Sequence, residues 1–219
     1  MKKTVLILTK SAKTGGYCVA GIDVNTRQWI RLVTDNAEVH NSLTDDNMVC
    51  SNGRICNKLD VVEVEFIRNA PAPHQPENAL INQAVPFRYL YSYESIEHAL
   101  RQLNIRPIEP QYLYGSSSRC ISSDNIDSYR CSLCLFKVHD LEIQNSATNG
   151  KRNKVGFSYH GSSYNQFSMT DRDYYFRSSP DSISEAYIVA SIPTVPFELN
   201  DSYYKFVSAI YPSDMADIA

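Results

Sequence analysis

Several features that mark common protein classes are missing from this sequence. No apolar run approaches the roughly 20 residues that a membrane-spanning helix needs. The N-terminus begins like a signal peptide, but its apolar core covers only residues 5–8 and ends at Lys10. Such a core is shorter than the roughly 7 to 15 residues of an export signal. We therefore expect a first strand here, in a soluble, cytoplasmic protein with no membrane partner.

The motifs of several enzyme classes are missing as well. The chain contains no P-loop, no dinucleotide-binding glycine fingerprint, no His-Glu-x-x-His and no Gly-x-Ser-x-Gly. These absences weigh against the enzymes that depend on those motifs. We therefore favour a protein without catalytic activity and without a cofactor.

An excess of positive charge is also missing. The formal net charge of the 219 residues is −3 at pH 7. A chain that coats nucleic acid indiscriminately needs a broad basic surface, so any basic face of this protein must be local.

Cysteine is present, but not in a pattern that identifies its role. The chain has six cysteines and no export signal, which favours reduced thiols over a disulfide framework. Cys131 and Cys134 have the spacing of half a zinc site, whereas Cys50 and Cys56 are more loosely spaced. Side chains alternate along a strand, so Cys131 and Cys134, three positions apart, would face opposite sides and chelate a metal ion poorly. We expect no metal site and favour buried thiols, although the sequence leaves structural zinc open.

Alternating apolar residues predict nine or ten strands. The clearest are residues 4–9, 59–68, 131–143 and 186–192, together with a hairpin over residues 15–33. The dipeptide Asn149-Gly150 predicts a further hairpin turn. A polar stretch, residues 34–58, is expected to form a long loop.

Only one segment has clear helical spacing. The apolar positions within residues 93–103 share one helical face, and Ser92 is placed to cap its N-terminus. One helix among many strands predicts an all-β protein. Two five-stranded barrels and one nine-stranded sandwich both fit the strand count.

Short segments spread over most of the chain resemble one known family in their order. They are residues 10–13 (Lys-Ser-Ala-Lys), 15–23 (Gly-Gly-Tyr-Cys-Val-Ala-Gly-Ile-Asp), 29–31 (Trp-Ile-Arg), 59–63 (Leu-Asp-Val-Val-Glu), 74–78 (His-Gln-Pro-Glu-Asn), 159–171 and 204–210 (Tyr-Lys-Phe-Val-Ser-Ala-Ile). In this order the chain resembles the prokaryotic dual OB-containing domain family. The chain departs from the family pattern at Leu32, where a proline is favoured, and at Arg27, where a glycine is favoured.

The resemblance implies two OB-like β-barrels in tandem. We expect a first barrel over residues 1–115, which includes the helix, and a second over residues 116–219. The resemblance implies no activity, because the family is poorly characterised and a fold does not determine a function.

Basic and aromatic residues are grouped in and beside the first hairpin. OB barrels bind single strands by stacking bases on aromatic rings while a basic groove follows the phosphates. The alternative is that the tryptophan belongs to the core and the arginines are solvated strand edges. The predicted nucleic-acid-binding set is Lys10, Lys13, Tyr17, Arg27, Trp29 and Arg31.

A second polar group lies within a proline-rich stretch. We expect His74, Gln75, Glu77 and Asn78 to form a structural or ligand-binding loop. As a catalytic loop it would offer His74 as base and Glu77 as acid, but no nucleophile accompanies them.

Three functions remain open from the sequence. The first is a non-enzymatic module that binds single-stranded nucleic acid or a nucleotide. The second is a protein-interaction or accessory subunit of a prokaryotic defence or nucleic-acid-processing system. The third is a hydrolase or transferase that uses the loop at residues 74–78. The oligomeric state is not determined by the sequence.

Overall fold

A computed structural model describes residues 1–144, 153–175 and 182–213. The chain divides into two compact units, Met1–Ile105 and Arg106–Ala219. Both are built mainly of β-strands, as the sequence predicts. Within the described residues, no helix has the length and apolar character that crossing a membrane requires.

The first unit contains six strands and one α-helix among the described residues. They are β1 (Lys2–Lys13), β2 (Gly16–Asp23), β3 (Trp29–Val33), β4 (Asp60–Asn69), β5 (Asn78–Ile81), β6 (Arg88–Ser92) and α1 (Ile96–Leu103). Strands β1 to β5 close into a barrel in the order β1-β2-β3-β5-β4, because β4 also pairs with β1. Only the β3–β5 contact of this barrel is parallel.

The second unit contains seven strands among the described residues. They are β7 (Cys120–Ser122), β8 (Leu133–Gln144), β9 (Lys154–Tyr159), β10 (Ser162–Met169), β11 (Ser182–Ser191), β12 (Ser202–Tyr204) and β13 (Phe206–Pro212). Five of them close into a barrel in the order β8-β9-β10-β13-β11, while β7 and β12 form a separate two-stranded sheet.

The two barrels share one topology. In each, the first three strands are neighbours, the fifth inserts between the third and the fourth, and the third and fifth run parallel. A five-stranded barrel of this kind is OB-like. The chain is therefore a tandem of two OB-like barrels, and the alternative of a single nine-stranded sandwich is wrong.

Strand alternation fills each barrel with apolar side chains. In the first barrel Val19, Ile30 and Leu32 face the core and are almost fully buried. Burial of each such side chain contributes about 1.5–3 kcal/mol. The second barrel has its own core, which includes Phe136 and Tyr164.

The helix begins later than the sequence predicts. Helix α1 starts at Ile96, because the Ser95 side chain caps it by accepting a hydrogen bond from the His98 N–H at 3.2 Å. Ser92, the predicted cap, instead ends β6 and donates a hydrogen bond to Asp60.

Three other predictions differ from the structure or lie outside it. Residues 34–58 carry buried core side chains, including Leu43, Met48 and Cys56, and so are more than a polar loop. Residues 106–115 pack with the second unit through Leu113 and Tyr114. The predicted turn at Asn149-Gly150 lies outside the described residues.

Candidate functional site

The outer face of β2 and β3 in the first barrel is the part of an OB barrel that commonly binds ligands. Two loops flank it, residues 14–15 between β1 and β2 and residues 70–77 between β4 and β5. Because successive side chains on a strand alternate, Cys18, Trp29 and Arg31 lie opposite the core-facing residues. We call this face, with its two loops, the candidate surface.

Arg31 is a structural member of this surface. Its side chain is buried, and its Nη2 lies 3.3 Å from Glu77 Oε1 while its Nη1 donates to Cys18 Sγ. The backbone N–H of Arg31 also donates to the Glu77 carbonyl at 3.0 Å. These contacts tie β3 to the start of β5, so the guanidinium is occupied within the barrel.

The polar loop predicted at residues 74–78 therefore helps to close the barrel, because its Glu77 bonds to Arg31 of β3. The Glu77 carboxylate is only 4% exposed and is neutralised by Arg31. Gln75 and Asn78 are buried, and the Asn78 amide donates to Gln75 Oε1 at 3.3 Å. His74 has a left-handed backbone with φ of 58° in a turn closed by backbone bonds between Ala72 and Gln75. The loop is therefore packed against the barrel, and Glu77 serves as the partner of the buried Arg31.

Tyr17 is part of the core. It is 8% exposed, and its hydroxyl donates to Asp45 Oδ1 at 2.7 Å. Lys10 Nζ lies 4.9 Å from the centroid of the Tyr17 ring, and it donates to the Cys56 carbonyl at 3.1 Å. The ring is therefore enclosed by protein groups and is not presented for stacking on a base.

Lys13 is an exposed cation at one end of the candidate surface. Partial desolvation lowers its pKa, Cys18 opposes that change, and the nearby Arg31 charge adds to it. Lys13 therefore lies in the electric field of the same polar cluster that closes the barrel.

Arg27 lies in the turn that follows β2, and Trp29 begins β3. Both are therefore near the end of β2 that is distant from Lys13. The seven residue steps of β2 span about 23 Å, which separates Arg27 and Trp29 from Lys13 along the surface. Arg27 has φ of 58°, a left-handed backbone conformation that glycine adopts more readily than arginine. Its Nε donates to the Leu103 carbonyl at the end of α1 at 2.8 Å. Trp29 is half-buried opposite Ile22, outside the core cluster.

The cysteines considered for zinc occupy different units. Cys50 and Cys56 are buried in the first barrel core, whereas Cys131 and Cys134 lie in the second unit. In the described parts of the chain, no group of three or more His, Cys, Asp or Glu side chains is arranged to hold a metal ion.

The second barrel has an exposed loop that sequence reasoning missed. The loop between β11 and β13 corresponds to residues 70–77 of the first barrel, because both connect the fourth and fifth barrel strands. It presents Val195, Phe197 and Leu199 to solvent. One feature of the sequence could have indicated this exposed loop: large apolar residues stand beside Pro193 and Pro196, and prolines disfavour the central strand that would bury them.

Comparison with known protein families gives a match over most of the chain. The family model described as the dual OB-containing domain matches residues 3–210, which is nearly the whole chain. No curated protein and no solved structure matches this chain.

Proposed function

This chain belongs to the dual OB-containing domain family, and from that premise we propose that its first barrel binds single-stranded nucleic acid or a nucleotide. The tandem of OB-like barrels supports a binding module, because ligands of such barrels lie against the second and third strands and the adjoining loops. The proposed module has no catalytic activity.

The position of Lys13 and Trp29 on one OB ligand face is the observation that carries this proposal. Lys13 is exposed at one end of the candidate surface, and Trp29 is half-exposed near the other, beside Arg27. A cation suits phosphate, and an indole ring suits stacking on a base. Both Tyr17, which faces the core beneath this surface, and Arg31, which lies within it, are buried.

The number of available cations predicts how binding responds to salt. Glu77 neutralises Arg31, and Lys10 is held against the Tyr17 ring and the Cys56 carbonyl, so Lys13 and Arg27 remain as the exposed basic side chains of the predicted set. Each phosphate contact to a single strand contributes about −0.7 to the slope of log K against log salt concentration. Two contacts therefore predict a slope of about −1.4, which is shallow for a nucleic-acid-binding protein.

Titration of labelled 12-nucleotide single-stranded DNA and RNA at several salt concentrations tests this function. We expect salt-dependent binding at micromolar protein, weakened in K13E. The matched control is K2E, the same charge change at a lysine of β1 that pairs with Glu63 away from the candidate surface. Absence of salt-dependent binding, or equal loss in both variants, would contradict the proposal.

A second candidate function is an accessory subunit that docks on a protein partner in a prokaryotic defence or nucleic-acid-processing system. The exposed apolar loop of the second barrel favours it, together with the net charge of −3. Peptide binding at that loop, with no oligonucleotide binding, would favour this candidate over the first.

We also propose that the protein acts in the cytoplasm. All six cysteines are free thiols, as is usual for proteins in a reducing compartment. Detection of an oxidised, disulfide-linked form as the major species in cells would argue against this location.

A further inference from the structure

Three large apolar side chains protrude from one short loop of the second barrel. Val195 is 67% exposed, Phe197 51% and Leu199 86%. Single exposed apolar residues are common, but three within five positions form a local patch, which is typical of an interaction site.

The loop that carries them is held in place by specific contacts. The Phe197 N–H donates to the Ser202 carbonyl at 2.8 Å, and the Asn200 N–H donates to the Phe197 carbonyl at 3.2 Å. The Asn200 amide donates to the Tyr204 hydroxyl at 3.1 Å, and the rings of Phe197 and Tyr204 meet edge to face at 5.7 Å. A partner therefore meets preformed apolar groups, which reduces the entropy lost on binding.

The loop that carries the patch is acidic, and an exposed cation, Arg119, lies beside it, because the Arg119 carbonyl accepts a hydrogen bond from the Lys205 N–H next to Tyr204. Glu198 lies between Phe197 and Leu199, and Asp201 follows the turn; both are exposed. The Asp201 carbonyl accepts a hydrogen bond from Ser123 at 2.8 Å, which brings the acidic turn at residues 123–128 alongside. This charge disfavours a phosphate backbone, and it disfavours a second copy of the chain, which would bring an identical acidic rim.

From these observations we propose that residues 193–201, here named the docking loop, bind a basic, apolar peptide segment of a partner protein. The apolar side chains supply the buried contact, and Glu198 and Asp201 select lysine and arginine around it. The proposal rests on the second candidate function and assigns the partner surface and the partner chemistry.

Fluorescence anisotropy with three labelled peptides and the full chain tests the docking loop. The first peptide combines leucine and phenylalanine with lysine and arginine, the second replaces the basic residues by glutamate, and the third replaces the apolar residues by serine. We expect the first to bind at least about tenfold more tightly than either of the others.

Two variants locate the binding on the loop. F197S/L199S is expected to weaken the first peptide by about tenfold or more, and E198K/D201K to reverse the preference between the basic and acidic peptides. The matched control is I67S, which removes a side chain that is 58% exposed in the first barrel. Unchanged circular dichroism would show that the variants remain folded.

Other outcomes overturn the proposal. It is wrong if no peptide binds, if all three bind equally, or if I67S weakens binding as much as F197S/L199S. A concentration-dependent dimer in sedimentation velocity that F197S/L199S abolishes would identify a second copy as the occupant. Loss of oligonucleotide affinity in F197S/L199S would assign the loop to nucleic acid.

The same proteins also separate this proposal from the first candidate function. Peptide binding without oligonucleotide binding contradicts the nucleic-acid proposal and supports the docking loop. Oligonucleotide binding without peptide binding supports the nucleic-acid proposal and contradicts the docking loop.

Discussion

Arg31 Nη2 and Glu77 Oε1 are 3.3 Å apart where β3 and β5 run parallel in the first barrel, and both side chains are buried. The pair is separated by 46 positions in the sequence. The ion pair adds a side-chain contact to the pairing of β3 with β5, which covers only three residues of each strand.

Removal of the Glu77 charge should destabilise the first barrel strongly. We expect E77Q to lower the free energy of unfolding by about 3–5 kcal/mol, because it leaves the Arg31 charge buried without its carboxylate. Urea unfolding measures the loss. The control E63Q removes an exposed ion pair with Arg88 and should change the midpoint little.

The double variant R31M/E77L distinguishes charge burial from lost packing. If the penalty arises from an uncompensated charge, the double variant should be more stable than E77Q. A double variant less stable than E77Q would show that the contacts of Arg31 with Cys18 and β5 matter more than its charge.

Gly21 should tolerate no side chain. A Cβ at this position of β2 would lie 1.9 Å from the Leu6 carbonyl oxygen of β1, which is a backbone atom in the barrel wall. We expect G21A to unfold the first barrel or to lower its thermal midpoint sharply. G53A is the comparison, since its Cβ would meet open space and only the φ of +80° is unfavourable, at about 1–2 kcal/mol. Similar losses in the two variants would contradict the packing argument.

Lys205 should make stability depend on pH in the second unit. Its Nζ is buried and donates to the Leu113 carbonyl at 2.6 Å and the Ser116 carbonyl at 2.8 Å. Burial lowers the pKa of Lys205 from 10.5 to about 8. Between these pH values the unfolded chain binds more protons than the folded chain, so the free energy of unfolding contributed by Lys205 rises with pH.

Comparison with K205M isolates this effect, because other ionising groups are common to both proteins. From pH 8 to pH 10.5, we expect the wild type to gain up to about 3 kcal/mol relative to K205M. Guanidinium unfolding at several pH values measures the difference. A difference that stays constant with pH, or falls, would show that the hydrogen bonds to Leu113 and Ser116 keep Lys205 charged in the folded state.

Trp29 provides a direct signal for nucleic-acid binding, because it is the only tryptophan in the chain. Oligonucleotide binding on the candidate surface should quench its fluorescence. We expect W29A to weaken single-stranded DNA binding by about 1–3 kcal/mol and W29F to retain most of the affinity, since phenylalanine also stacks on bases. Equal affinity of W29A and wild type would remove Trp29 from the proposed surface.

Local pattern predicted the strands whose side chains alternate, but not the strand that completes the first barrel. Strand β4 is visible in the sequence because Val62, Val64 and Phe66 alternate with polar neighbours. Strand β5 has only four residues, all buried, and follows a proline-rich stretch, so it offers no periodicity to detect. Its pairing with β3 and β4 becomes evident only once the chain has closed on itself.

The candidate site was predicted less well than the fold, for a related reason. Residue type suggested that Tyr17 and Arg31 face a ligand, whereas the structure buries both. A buried arginine needs a compensating charge, and its partner Glu77 lies on a distant segment that no local pattern connects with it. The exposed docking loop was missed because apolar residues near prolines do not reveal their exposure.

The amino-acid sequence by itself determined the all-β class, the OB-like family and the helix within residues 93–103, because these follow from local periodicity and from the order of short motifs. Tertiary structure alone decided which strands close each barrel and which polar residues are buried. It also decided which apolar side chains stay in solvent. Those properties depend on contacts between segments far apart in the chain, and local residue preferences carry little information about such contacts.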